Sequence, residues 1–286
     1  MILISVIIGG IALFLASLTD LKTREVPDLL NYAMVCLGLG IAAIYSILFA
    51  SWQPILQSVV GLGIGFIIGE SMFYAGQWGG GDTKALEGIG ALVGASVWNT
   101  QNFYFITFLV NIIIVGAFYG IAWSIALAIK HRKVFLAKLE ETATAKPILA
   151  YRRFMMGFAV LGVACSFLAP IEIRLWIIGA VAFLYLLFYL WLAIRIIERN
   201  ILTRPVAPET LTEGDWIATD IYVRGKYIAG PKDLGVSNEQ IRLLITLKKQ
   251  KKIKTVVMKS GIPLVPSWLL AYLLTFIVGN WLLAVI

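Results

Sequence analysis

Residues 1–20 read MILISVIIGGIALFLASLTD, an uncharged run that ends on an aspartate. A stretch of roughly 20 apolar residues is what a helix needs to cross the hydrocarbon core of a bilayer. The run has no basic start and no clear small-residue cleavage site, so it reads as a retained span and not a removed signal peptide. An ionisable side chain costs at least a few kcal/mol inside a bilayer, so Asp20 at the end of such a run asks for a reason.

The rest of the 286 residues repeats the pattern. Hydrophobic types make up 60% and charged types 14%, with a mean hydropathy of +0.88. A water-soluble domain is about half apolar and a quarter charged. The surplus falls into about eight runs, at 1–19, 29–50, 54–76, 83–98, 103–129, 153–169, 173–197 and 263–285. The fourth is short and rich in small residues. The fold expected is an all-α polytopic membrane protein with a small aqueous insert between its last two spans. Four parts follow: helices one to five over 1–130, a basic loop with two helices over 131–197, the insert over 198–262, and a last helix over 263–286.

Charge sets the orientation. With eight spans, all of the 24 Lys and Arg except Arg174 fall on one side. Basic residues concentrate in cytoplasmic loops. Both termini are therefore placed outside the plasma membrane, and the net charge of +8 needs no nucleic acid to explain it. Anionic lipid head groups are the natural partners of the basic loops. His131, the only histidine, sits in one of those loops as a bystander. Cys36 and Cys165 lie in apolar runs without CxxC spacing, which excludes the usual zinc and disulfide patterns. No metal or organic cofactor is expected.

The insert reads as α+β. DWIATDIYVRGKYIAG (215–230) alternates and turns at Arg224-Gly225-Lys226, the signature of a hairpin. Ser237 precedes Gln240 by three residues, the spacing of a capping box. IKTVVMKSG (253–261) reads as one further strand, and KKQKKIK (248–254) as a solvated charge run.

Few acids lie in or beside the spans: Asp20, Asp28, Glu70, Asp82 and Glu87. In the eight-span arrangement Asp20 and Asp82 fall at the same cytoplasmic depth. If spans one and four pack together, two carboxylates meet in a partly dry site and hold one proton between them. That is the chemistry of an aspartic protease, in which one carboxylate takes a proton from water and its partner donates to the carbonyl oxygen. Gly79, Gly80 and Gly81, just before Asp82, are read as admitting backbone angles closed to other residues and as letting an extended substrate pair beside the acid. A plain turn explains the glycines equally well, and an acid in a first helical turn also complements the helix dipole.

TDLKTREVPD (19–28) followed by GGGDTK (79–84) resembles the type IV prepilin peptidases, intramembrane aspartyl proteases of the GxGD kind, and most closely their archaeal prepilin and preflagellin (prearchaellin) members. The resemblance covers spans one to five, and the insert with the ending GIPLVPSWLLAYLLTF (261–276) is similar to the C-terminal part of some archaeal members. It implies removal of a short basic leader from prepilin or prearchaellin precursors at the cytoplasmic face. It also implies catalytic roles for Asp20 and Asp82. Pro27, Asp28 and Lys84 fall at motif positions and are taken, with the glycines, as shaping the site. The chain lacks the cysteine set of the large bacterial members, so proteolysis without N-methyl transfer is expected. The alternative is a proton-coupled secondary transporter using intramembrane acids, for which Glu70 is the best candidate.

Overall fold

The computed structural model describes residues 2–96 and 104–279. Six helices are long and apolar enough to cross a membrane: α1 (Ile2–Thr23), α2 (Asp28–Leu48), α3 (Gln53–Tyr74), α5 (Tyr104–Lys130), α7 (Lys146–Ser166) and α8 (Ile171–Asn200). A shorter apolar helix, α10 (Val265–Val278), and the short helix α4 (Gly80–Val93), which is rich in small residues, complete the pattern. The protein is a polytopic helical membrane protein. The turn at 99–102 and the end of the last span lie outside the described residues.

Helix α4 is central. Its 14 residues rise about 21 Å, less than the roughly 30 Å core of a bilayer. It has no need to reach both faces, because protein surrounds it instead of lipid: Thr83, Ala85, Leu86 and Gly88–Val93 are all buried. This is why the run rich in small residues is short. The fourth span expected at 83–98 instead begins at Gly80 and ends at Val93, and Ala95 then donates to the Gln57 carbonyl at 2.8 Å. Lipid tails give helices no hydrophobic reason to associate, so close packing and hydrogen bonds must hold them together. On α3, Gly61, Gly65 and Gly69 recur every four residues and face Gly90, Leu86–Glu87 and Thr83 of α4. Ser58 donates to the Ala91 carbonyl at 2.6 Å and Thr83 to the Gly69 carbonyl at 3.2 Å, fixing both ends of that seam. Each such bond is worth about 0.6 kcal/mol.

Helices α1, α5 and α10 pack on the other side of α4. Their shared core holds Leu13, Phe105, Phe108, Trp268 and Tyr272. Tyr272 donates to the Val6 carbonyl at 3.1 Å, and Asn111 donates to Thr275 at 2.9 Å. Helices α7 and α8 pair with each other and expose most of their apolar side chains, as lipid-facing helices do. The stretch expected to be a basic loop at 131–152 is instead helical. It forms α6 (Arg132–Thr144), whose Phe135 and Leu139 pack on Ile148, Leu192 and Ile196, and then α7 starts with Pro147 in its first turn.

The aqueous insert carries β1 (Thr203–Val206), β2 (Trp216–Ile217), β3 (Ile221–Val223), β4 (Lys226–Ala229), α9 (Asn238–Lys249) and β5 (Val256–Lys259). β5 lies between β1 and β2, antiparallel to both. β3 and β4 form the expected hairpin, with Arg224 and Gly225 both at positive φ, the pair of angles a two-residue type I′ turn requires. Ser237 and Gln240 form the expected capping box at the start of α9. Ile241, Leu244 and Leu247 of α9 then cover Ile217, Ile228, Val256 and Met258, a core separate from that of the bundle.

Candidate active site

One end of the bundle gathers the motifs. Helix α1 ends there, α4 begins there, and the insert rests on both. Arg24 leaves α1 at φ 65, donates from Nη1 to the Gly261 carbonyl at 2.9 Å, and lies over the Trp123 ring at 5.6 Å. Thr212 of the insert donates to Glu25 at 3.0 Å. Trp216 of the insert comes up against Gly76, at the end of α3.

Asp20 lies on the last turn but one of α1 and is only 5% exposed. Its Oδ2 accepts the Val265 N–H at 2.9 Å. Val265 is the first residue of α10, so the carboxylate caps a helix N-terminus, where unpaired N–H groups and the helix dipole favour negative charge. The contact joins residues 245 apart in sequence. A carboxylate this deep needs such a donor to offset the loss of water.

Asp82 is the third residue of α4 and is half-buried. Its Oδ2 accepts the Gly79 N–H at 3.2 Å, so it too serves a helix terminus. Although they come from different helices, the two aspartates lie within electrostatic range of each other. Each carboxylate thus has an oxygen tied to a backbone N–H at the start of a helix.

The glycine triplet acts differently from the expectation. None of Gly79, Gly80 and Gly81 takes a positive φ; the bend before them is made by Gly76, at φ 67. Gly79 is the N-cap of α4, with φ −76 and ψ 161. Gly81 answers a close approach within the chain, since a Cβ there would stand 3.2 Å from the Val26 nitrogen and 3.3 Å from its carbonyl oxygen. Gly80 is exposed at the site's rim. So the triplet seats the loop after α1 against the start of α4.

The remaining motif residues tie the same two segments. Lys84 pairs with Asp28 at 2.7 Å and lies 5.5 Å over the Tyr32 ring. Pro27 is the N-cap of α2 in extended conformation and directs the chain into that helix. Asn31, one turn on, donates to the Gly81 carbonyl at 3.2 Å. Both partners of the Lys84–Asp28 pair are substantially exposed, so the pair is worth about 1 kcal/mol or less and acts mainly in alignment. Glu70 is half-buried and lies within electrostatic range of Glu87 across the α3–α4 seam, away from the Asp20 side of α4. Among the described residues no group of three or more His, Cys, Asp or Glu is placed to hold a metal.

Sequence reasoning missed three side chains here. Trp78 packs edge-on to Trp268 with ring centroids 5.0 Å apart. The Trp268 Nε1 is buried without a hydrogen-bond partner, and so is the Tyr119 hydroxyl on α5. Neither α5 nor α10 carries a polar periodicity that would have singled them out.

Residues 7–121, which hold both aspartates, match the model of the type IV leader peptidase family. Among curated proteins, the preflagellin peptidase of Methanocaldococcus jannaschii is 40% identical over 91 residues, covering 32% of this chain and 38% of that protein. Those of Methanococcus voltae and Methanococcus maripaludis are each 38% identical over 91 residues, covering 32% of this chain and 39% of theirs. The chain thus spans about two fifths of the curated relatives it matches.

Proposed function

We propose that the protein is an intramembrane aspartyl endopeptidase that removes short basic leaders from preflagellin or prepilin precursors, a reading supported by the match of residues 7–121 to the model of the type IV leader peptidase family. The observation that carries this reading is the meeting of Asp20 and Asp82. Two acids from separate helices, one at the end of α1 and one at the start of α4, come within electrostatic range at the insert-bearing end of the bundle. Backbone donors hold an oxygen of each.

In the mechanism, one carboxylate is ionised and its neighbour holds a proton, because two such groups this close do not both ionise readily. The ionised group takes a proton as a water oxygen adds to the scissile carbonyl carbon. The protonated group gives its proton to the carbonyl oxygen. When the C–N bond breaks, the nitrogen leaves with a proton returned by the dyad, and acid and amine products result. The distribution of Lys and Arg supports a cytoplasmic position for this end, where the precursor's leader lies before export. Methyl transfer has no place in the scheme.

The test uses the full chain in detergent with a synthetic precursor, a short basic leader followed by an apolar helix. Wild-type protein removes the leader, while Asp20→Asn and Asp82→Asn each lower turnover by at least about 10³-fold, as loss of one member of a catalytic set does. A proton-coupled carrier would instead give uptake and no shortened product. Cleavage at the wild-type rate by either variant removes that aspartate from the mechanism.

A further inference from the structure

Tyr119 occupies an unusual position. It lies on α5, one turn from Trp123, and the two rings stack at a centroid separation of 5.7 Å. Trp123 in turn lies under the Arg24 guanidinium, four residues beyond Asp20. The stack therefore sets Tyr119 one turn below Arg24, at the depth of Asp20. Its ring is within electrostatic range of both Asp20 and Arg24. Its hydroxyl is fully buried and has no hydrogen-bond partner.

A buried hydroxyl left unpaired destabilises the fold, and phenylalanine would keep the same ring packing without that cost. No hydrogen bond joins it to the Asp20 carboxylate, so a substrate oxygen entering between the two would meet a hydroxyl whose hydrogen-bonding capacity is unused. A phenol can donate to that oxygen without giving up its own proton under neutral conditions.

We infer that the Tyr119 hydroxyl is a third catalytic group of this site, which donates a hydrogen bond to the scissile carbonyl oxygen of the substrate. This rests on the proteolytic reading above. As water adds, that oxygen gains negative character and then the proton supplied by the dyad; the phenol stays bonded to it throughout and transfers no proton. A donor aimed where charge develops stabilises the transition state more than the ground state. The inference separates a residue paid for by function from one kept for packing.

The test is Tyr119→Phe in the full chain, assayed on the same basic-leader precursor beside wild type and Asp82→Asn. Removing one such donor lowers turnover by about 10²-fold. KM stays within about twofold, because the loss falls on the transition state. The thermal midpoint holds or rises, because the variant deletes an unpaired polar group and leaves the stack on Trp123 in place. Wild-type turnover by Tyr119→Phe overturns the inference and leaves the aspartyl reading standing. A matching fall in thermal midpoint assigns the residue to structure and also overturns it. A wild-type protein that cleaves no precursor, with an unchanged melting profile, refutes the underlying reading, and the role of Tyr119 falls with it.

Discussion

Gly61 and Gly63 lie two residues apart on α3 and differ in one respect. A Cβ on Gly61 would stand 2.1 Å from the Gly90 carbonyl oxygen and 2.9 Å from the Gly94 Cα, both backbone atoms of the facing chain. A Cβ on Gly63 would meet nothing within 4 Å. Ordinary contact needs about 3.4 Å or more, so Gly61→Ala forces α3 and α4 apart by more than about 1 Å. Over-packing of this kind costs about 1–3 kcal/mol. Against it stands the gain of replacing a mid-helix glycine by alanine, about 0.5–1 kcal/mol, which both variants share. The net expectation is a loss of about 1–2 kcal/mol for Gly61→Ala and a small gain for Gly63→Ala. Activity should separate the two further. Asp82 rides on α4, and a shift of about 1 Å at a reacting group costs about 10²-fold in rate. Thermal unfolding in detergent and leader cleavage, measured on both variants, check the argument. If Gly61→Ala melts and turns over like Gly63→Ala, the seam does not set the position of α4, and the reasoning fails.

Two further predictions concern the insert. Ser237→Ala removes the side-chain acceptor for the Gln240 N–H and should lower stability by about 1 kcal/mol, seen as faster amide exchange in α9. Tyr227 is pushed up to about 12 by partial burial and by the hydrogen bond it donates to Asp233. An unfolded phenol titrates near 10. Its contribution to stability is therefore complete below about pH 10 and is lost as pH rises through 12. Ultraviolet titration of phenolate absorbance should show one late-ionising tyrosine fewer in Tyr227→Phe than in wild type; a wild-type curve already complete near pH 10 contradicts this.

Elements fixed by local chemistry were readable in the sequence. The Arg224-Gly225 turn, the Ser237 cap and strand β5 follow from residue types within a few positions of each other. The common depth of Asp20 and Asp82 followed from counting spans between basic loops. The α3 seam was also within reach, because Gly61, Gly65 and Gly69 follow the small-residue spacing by which membrane helices approach one another. Other features were closed to such reading. Helix α6 carries enough charge to pass for a loop, and its few apolar residues find cover only on α7 and α8. The need for a glycine at Gly81 comes from the close approach of Val26, more than fifty residues away, and not from the glycine's own freedom. Nothing in the run around Tyr119 signals that its hydroxyl goes unpaired, because that property belongs to the neighbours it lacks.

The bond from the Val265 amide to Asp20 has a consequence for the order of synthesis. The first span emerges from the ribosome carrying an acid whose stabilising donor is made more than two hundred residues later. Until α10 arrives, that carboxylate must find water or some substitute at the membrane boundary. Nascent copies therefore pass through most of their production before this acid meets the donor that holds it in the finished fold.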